Sequence, residues 1–140
     1  MSQTNTDMET IIKTATASSP YLEMNGSKGQ ITISGRAIDY NPTEFWSDVF
    51  SWTTDYLENP LETTTINLNF EYLNTLNTKK LFVFLKLLEF MGSKKTDIQI
   101  NWLFEDDDED MHELGEDINS LLRLEMHFIP AEELIEELIK

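Results

Sequence analysis

The sequence predicts one α/β domain of the α+β kind, in which a mixed sheet of about four strands is covered by helices. In its central stretch, Thr64–Met91, apolar residues first alternate with the period of a half-buried strand and then recur at helical spacing up to Gly92. Asp97–Phe104 alternates again, so a strand, a helix and a strand follow one another, which is typical of a right-handed parallel crossover. The 140 residues suit one domain, and no repeat or low-complexity linker divides them.

The elements before the central stretch are short. Residues 1–10 are polar and without periodicity, so we expect a flexible leader, and Ile11–Lys13 can add an edge strand. Tyr21–Met24 and Gln30–Ser34 flank a turn that contains two glycines, which predicts a β-hairpin. These glycines lack the spacing and the terminal Gly-Lys-Ser/Thr of a phosphate-binding loop.

An aromatic helix is predicted to start near Asn41. A capping Asn, a Pro at the first helical position and Glu44 in the first turn all favour a helix start, and Asn59-Pro60 ends the element. Its aromatic side chains are most simply part of the core, although Trp46 or Phe50 can alternatively face a partner. The apolar face comprises Phe45, Val49, Trp52 and Tyr56, with Trp46, Phe50 and Leu57 beside it.

A polar corner, Leu73–Lys80, joins the central strand to its helix, which is expected from about Thr78 to Met91. Its Asn and Thr side chains are suited to capping, because their oxygens accept hydrogen bonds from the free amides of a first helical turn. A threonine hydroxyl beside a helix N-terminus is also well placed to carry a phosphate, which the dipole and the free amides favour. The two interpretations are compatible. The strand itself is expected to bury Ile66, Leu68, Phe70 and Tyr72.

The charge of the chain restricts its partners. The formal net charge is -16 and the sequence pI is about 4.2, so the chain lacks the clustered Lys and Arg that hold nucleic acid or an anionic membrane. Proteins are therefore the expected partners. The chain has no Cys, and its sequence has neither a secretory leader nor an apolar run of the roughly 20 residues that span a bilayer. We expect a cytoplasmic protein.

An acidic run follows the second long strand and continues into a predicted helix. Glu105–Asp110 is a block of like charge, which indicates a solvated face and a helix start whose dipole favours acids. The run does not alternate around a glycine as a calcium loop does, and a basic protein surface is its better ligand. The side chains expected to contact a partner there are Asp107, Asp108, Asp110, Glu113 and Glu116.

The two histidines and the last ten residues are the remaining features that bear on function. His112 and His127 have no companion at the spacing of zinc ligands, so no metal site is predicted. Ala131–Lys140, after Pro130, has the pattern of a short amphipathic helix, which can pack on its own sheet or on a second copy of the chain.

A series of motifs follows in a fixed order along the chain. They are Gly35-Arg36, Phe45-Trp46, Trp52, Tyr56-Leu57, Tyr72-Leu73-Asn74-Thr75, Lys79 or Lys80 before Leu81, Trp102, and Glu113-Leu114-Gly115-Glu116. Together they resemble the SiaC family of bacterial regulatory phosphoproteins over roughly Tyr21 to Phe128. The most specific parts of the resemblance are Leu-Asn-Thr at the corner and the acidic run that closes in Glu-Leu-Gly-Glu, and it implies a domain similar to the STAS-like, anti-anti-sigma-factor fold.

The resemblance implies a phosphoacceptor at Thr75. In the family this threonine is phosphorylated by a kinase of histidine-kinase-like fold and dephosphorylated by a PP2C-type phosphatase, and the unphosphorylated protein binds and activates a diguanylate cyclase. We therefore expect a partner that packs over Leu73, Asn74, Thr75 and Leu76. Two positions depart from the family pattern: Leu76-Asn77 replaces Ser-Ser, and Asp39-Tyr40 replaces Pro-Glu.

The function predicted from the sequence is a partner-switching phosphoprotein that is not an enzyme and needs no cofactor. An acidic secretion chaperone or adaptor is the alternative, because small size, negative charge and a possible dimerising helix suit it as well. A metal-dependent hydrolase that uses Asp106–Asp110 is a third class, but no base or nucleophile is organised around those acids.

Overall fold

The structure, a computed structural model, describes residues 8–133, and within them six strands form one sheet in the order in which they occur along the chain. Three α-helices connect the later strands, and the second continues into a π-helical turn, the π-turn. The strands are β1 (Ile11–Lys13), β2 (Tyr21–Asn25), β3 (Gln30–Ala37), β4 (Thr63–Leu73), β5 (Asp97–Phe104) and β6 (Met126–Pro130), the helices are α1 (Thr43–Tyr56), α2 (Thr75–Leu87) and α3 (Glu109–Ser120), and the π-turn is Leu88–Gly92.

The mixed sheet is confirmed, but its size differs from the expected four or so strands. β1, β2 and β3 are antiparallel neighbours, whereas β3, β4, β5 and β6 run parallel to one another. The strand missed by the sequence analysis is β6, which is short and carries His127 and Pro130. Such a segment lacks a strong local strand pattern, and its pairing with β5 defines it.

The parallel crossover between β4 and β5 is confirmed, and the same connection occurs three times. Each pair of neighbouring parallel strands from β3 to β6 is joined through one helix, and because the strands follow in order, right-handed crossovers put all three helices on one face of the sheet. The other face is mainly polar and includes Thr32, Asn67, Asn101 and His127, which are paired in register across the strands.

The core fills the space between the sheet and the helices. Trp46 and Trp102 are almost wholly buried in it, and Trp46 packs on Phe84 with ring centroids 6.4 Å apart. The interpretation of Trp46 as a partner-facing residue is therefore wrong, whereas Phe50 is half-buried. The buried apolar strand residues are Leu22, Met24, Ile31, Ile33, Ala37, Ile66, Leu68, Phe70, Ile100, Trp102, Phe104 and Met126.

The predicted starts of α1 and α2 need correction. Pro42, not Asn41, occupies the N-cap position of α1, and it makes no side-chain cap; the Asn41 amide instead donates to Asp39 Oδ1 at 2.9 Å in a preceding turn. α2 begins at Thr75, three residues before the expected start near Thr78. The apolar pattern misleads here because the first turn of α2 exposes Leu76 and buries a polar residue.

A bulge in β4 explains why Tyr72 is not in the core. Gly35 pairs with Phe70 and Arg36 with Tyr72, so Glu71 is the extra residue and the alternation of β4 shifts by one. The expectation that Tyr72 is buried is wrong: 53% of it is exposed, and the Arg36 guanidinium lies 4.8 Å from its ring centroid.

The described residues test the predictions for the two ends of the chain only in part. Of the predicted leader, residues 1–7 lie outside the described part; Met8 packs against the core, and the Glu9 carbonyl accepts a hydrogen bond from Trp52 Nε1 at 3.0 Å. Of the predicted amphipathic segment Ala131–Lys140, residues 131–133 are helical and the remainder lies outside. None of the helices within residues 8–133 is long and apolar enough to cross a membrane.

Candidate functional site

The corner between β4 and α2 is a capped helix start in which Thr75 takes no part in the capping. Asn74 is the N-cap residue, and its Oδ1 accepts a hydrogen bond from the Asn77 amide at 2.9 Å. The Thr78 hydroxyl donates to the Asn74 carbonyl at 2.8 Å. Thr75, the first residue of the helix, is exposed, and its hydroxyl makes no hydrogen bond to any residue in the range 8–133. The hydroxyl is therefore available for modification.

Asn77 ties the corner together. Its side chain is almost wholly buried; Oδ1 accepts from Trp46 Nε1 at 2.9 Å, and Nδ2 donates to Asn74 Oδ1 at 2.8 Å and to the Asp39 carbonyl at 3.1 Å. α1, α2 and the loop between β3 and α1 thus meet at one amide group. From the sequence, Asn77 is one of the polar corner residues suited to capping and a departure from a Ser-Ser pattern, but its burial was not predicted. A polar residue at helical spacing from Leu81 and Phe84 was the signal for that burial.

The loop between β3 and α1 forms the other wall of the corner. The Asn74 amide donates to the Ala37 carbonyl at 3.1 Å, and Asn74 Nδ2 reaches the Asp39 carbonyl at 3.4 Å. Tyr40, next along this loop, is 91% exposed. The departure at Asp39-Tyr40 therefore lies against Asn74, the residue before the threonine, and the exposed Tyr40 ring adds apolar surface that was not predicted from the sequence.

The predicted corner residues differ in what they offer to a partner. Thr75 and Leu76 are exposed, Leu76 by 40%, while Leu73 and Asn74 are half-buried. Because Asn74 is occupied in capping, Leu76 and the Thr75 hydroxyl are the groups a partner can contact most directly. Lys79, one helical turn after Thr75, is also exposed.

The predicted acids divide into one structural and four exposed residues. Asp108 is the N-cap of α3, and its Oδ1 accepts from the Met111 amide at 3.0 Å. Asp107, Asp110, Glu113 and Glu116 are exposed. The helix start predicted from the acidic run is thereby confirmed, and the four exposed carboxylates remain available to a basic surface.

The corner and the acidic residues lie on the same edge of the molecule. β4 and β5 are parallel neighbours, so the residues that follow their carboxyl ends share one edge of the sheet. An open apolar groove of about 440 Å³ between α2 and α3 continues from this edge. It is lined by Thr78, Lys79, Phe82, Val83, Asp117, Ile118 and Leu121.

Crowding of carboxylates at this edge affects Glu132, which follows β6. A hydrogen bond that the protonated Glu132 carboxyl donates to Asp106 raises the pKa of Glu132, and the charges of Asp106, Asp107 and Glu105 raise it further. The segment that follows β6 therefore begins in a repulsive field. A basic partner that docked on this edge would relieve the repulsion.

The two histidines have other surroundings. His112 stacks on Phe104 with ring centroids 4.3 Å apart, and its Nε2 lies 3.4 Å from Glu116 Oε1. His127 Nε2 lies 3.0 Å from Gln99 Oε1 on the open face of the sheet. In the part of the chain that the structure describes, no group of three or more His, Cys, Asp or Glu side chains is arranged to hold a metal ion.

Comparison with known proteins gives a family and a set of related structures. Residues 13–131 match the family described as SiaC family regulatory phosphoprotein. No curated protein matches the chain.

The related structures share the fold. The crystal structure of apo-SiaC from Pseudomonas aeruginosa superposes with a TM-score of 0.79 at 21% identity, covering 87% of this chain and 99% of that one. SiaC in complex with the diguanylate cyclase SiaD, which it activates in the same organism, gives 0.80 at 21% identity, covering 86% and 98%. A third structure, SiaC of Pseudomonas aeruginosa, gives 0.73 at 21%, covering 87% and 97%.

Proposed function

Because the chain belongs to the SiaC family of regulatory phosphoproteins, we propose that it is a partner switch whose phosphoacceptor is Thr75. A kinase of histidine-kinase-like fold adds the phosphate and a PP2C-type phosphatase removes it, both in the cytoplasm. The chain binds its target and catalyses nothing itself. The observation that carries the proposal is the exposed hydroxyl of Thr75, which has no hydrogen bond within residues 8–133, at a helix start that Asn74 already caps.

The target in this proposal is a diguanylate cyclase, which the unphosphorylated protein binds and activates. Its support is the shared fold with SiaC of Pseudomonas aeruginosa, which activates the cyclase SiaD. The surface offered to the target consists of the corner around Thr75, the exposed ring of Tyr40, and the acids Asp107, Asp110, Glu113 and Glu116. Apolar contact at Leu76 and Tyr40 supplies affinity, and the acids attract a basic target.

Phosphorylation of Thr75 acts on the interface while leaving the fold intact. A phosphate adds about -1.5 to -2 charges at neutral pH, and the start of α2 can accept it, because the dipole of the helix favours an anion there and Lys79 lies one turn away. A target that packs over Thr75 has to desolvate the phosphate on a surface that is already negative, which costs roughly 3 kcal/mol or more. Such a cost lowers affinity about 100-fold.

The test is phosphorylation by the cognate kinase with ATP, followed by mass spectrometry of the peptide that contains the corner. We expect one phosphate on Thr75, none in Thr75→Ala, and none on Thr78, whose hydroxyl is bonded to the Asn74 carbonyl. Removal of the phosphate by the cognate phosphatase is the second arm. An unmodified Thr75 in the presence of a kinase that is active on another substrate would contradict the proposal.

A further inference from the structure

The far end of α2 carries the most exposed large apolar side chain of the helix. Phe90, in the π-turn, is 90% exposed. It borders an open cavity of about 910 Å³, and we call the lining residues the Phe90 patch: Lys86, Glu89, Phe90, Ser93, Lys94, Arg123 and Leu124. An aromatic ring held in solvent beside a concave surface is typical of a protein-docking site. π-helical turns also occur frequently at functional sites.

The Phe90 patch is basic in an otherwise acidic molecule. It holds three of the ten Lys and Arg residues of a chain with a net charge of -16, against a single carboxylate. That carboxylate, Glu89, lies 3.4 Å from Lys86 Nζ. Lys94 and Arg123 are exposed, and their side chains have no ion-pair partner among residues 8–133. The occupant that fits is therefore acidic and carries apolar side chains.

The chain itself contains a segment with this chemistry. Residues 131–140, the acidic segment, read AEELIEELIK, with four glutamates and four large aliphatic side chains. The sequence spacing of this segment is that of an amphipathic helix: at 100° per residue, the aliphatic positions 134, 135, 138 and 139 would share one face, and the glutamates at 132, 133, 136 and 137 would flank it. All but the first of these ten residues lie beyond the family match, which ends at residue 131.

Geometry separates the acidic segment from the Phe90 patch of its own copy. The segment begins after β6 at the carboxyl edge of the sheet, next to Asp106, whereas Phe90 lies at the opposite edge, before β5 begins. The eight residues of β5 extend about 26 Å. A ten-residue helix, about 15 Å long, would not bridge the two edges. An extended segment would reach, but that conformation divides its aliphatic residues between two faces.

We propose that the acidic segment of one copy docks on the Phe90 patch of a second copy, and that the exchange is reciprocal and gives a closed dimer. Leucine and isoleucine side chains pack against Phe90 and Leu124, and the glutamates pair with Lys94 and Arg123. The dimer is independent of the proposed switch, since Phe90 lies about 22 Å along the helix from Thr75, well beyond the reach of a screened charge at physiological salt. If the dimer does not form, the proposal that Thr75 is phosphorylated is unaffected.

The first test is the mass of the full chain in solution, measured by light scattering over a concentration series at low salt. We expect a dimer that becomes monomeric in Phe90→Ser and in the double variant Leu134→Ser with Leu138→Ser. Tyr40→Ser, which removes a ring of equal exposure elsewhere, should remain dimeric. Arg123→Glu should weaken the dimer at least 10-fold, while Lys28→Glu, in the exposed hairpin turn, should not. A monomeric wild type, or a dimer that survives both sets of serine substitutions, overturns the proposal.

The second test separates docking between copies from docking within one. Phe90→Ser lacks the receptor and the Leu134→Ser, Leu138→Ser variant lacks the ligand, so each should be monomeric alone, and a mixture should form a heterodimer through the one intact pair. A synthetic peptide of residues 130–140 should bind the second variant saturably by fluorescence polarisation and bind Phe90→Ser at least 10-fold more weakly. A mixture that stays monomeric, or equal peptide binding to both variants, refutes the exchange.

Discussion

At the scale of single residues, the corner separates amide side chains that hold the structure together from an exposed hydroxyl that does not. Asn74 and Asn77 satisfy the backbone and one another, and Thr75 stands between them without a described partner. Because rigidity comes from the neighbours, Thr75 itself can be altered without loss of the helix start. This separation leads to two predictions about the corner.

Asn77→Ala should lower the free energy of unfolding by about 2–3 kcal/mol, because it leaves the buried Trp46 indole N–H without its acceptor and removes the shorter of two hydrogen bonds to the Asp39 carbonyl. Urea denaturation monitored by tryptophan fluorescence measures the change. Asn69→Ala, at an exposed position of β4, is the control and should change stability by less than about 0.5 kcal/mol. Equal effects of the two substitutions would show that the hydrogen bonds of Asn77 do not hold the corner.

Thr75→Ala should keep the stability of the wild type within about 0.5 kcal/mol, bind the target constitutively and resist the kinase. Thr75→Glu should melt close to the wild type yet bind the target weakly, because the charge falls on the interface. Asn74→Ala is the matched comparison and should cost about 1 kcal/mol through loss of the cap. Thermal melts and calorimetric titration measure both quantities. A large loss of melting temperature in Thr75→Glu would make the corner a structural element and not a switch.

At the scale of elements, the local sequence pattern was sufficient to predict a strand or helix that buries one face along its whole length. The hairpin, the β4–α2–β5 crossover and the aromatic helix follow from the periods of two and 3.6 residues. The local sequence pattern failed to predict the structure where contacts between elements determine it. β6 depends on β5 for its definition, the bulge at Glu71 reverses the direction of Tyr72, and the first turn of α2 buries Asn77 in place of an apolar residue. At the candidate site, Thr75 was predicted as the phosphoacceptor from the family resemblance, whereas the hydrogen bonds of Asn77 could be identified only from the structure.

The packing of α3 on the sheet predicts that replacing a helical glycine by alanine lowers the stability of the protein, which is opposite to the effect of helix propensity. A Cβ at Gly115 would lie 2.6 Å from Trp102 Nε1, whose N–H donates to the Met111 carbonyl at 3.2 Å. Helix propensity alone favours Gly115→Ala by about 1 kcal/mol, but overpacking against a buried indole costs typically 1–3 kcal/mol or more. We expect net destabilisation in urea melts, with Glu113→Ala on the exposed side of α3 close to neutral. A stabilised Gly115→Ala would mean that the indole can move aside.

At the scale of the whole molecule, charge is distributed unevenly between the two edges of the sheet. The carboxyl edge carries the acids around α3, and the opposite edge carries the Phe90 patch. Net charge alone acts at long range and is screened within about 8–10 Å at physiological salt, so local fields decide which partner approaches which edge. A basic target should therefore be guided to the edge that contains Thr75.

This guidance predicts that Asp107→Asn with Asp110→Asn slows association of the target several-fold at low salt, with little change in the dissociation rate, because exposed rim charges act mainly on encounter. Glu58→Gln with Glu125→Gln removes the same two charges from exposed positions at the opposite edge and should leave the rate nearly unchanged. Both pairs make the same change in net charge, so only their location differs. Stopped-flow association between about 20 and 300 mM salt should show the wild-type rate falling towards that of the Asp107, Asp110 variant. If both pairs slow association equally, net charge and not the acidic edge directs the target; if salt has no effect, electrostatic guidance is absent.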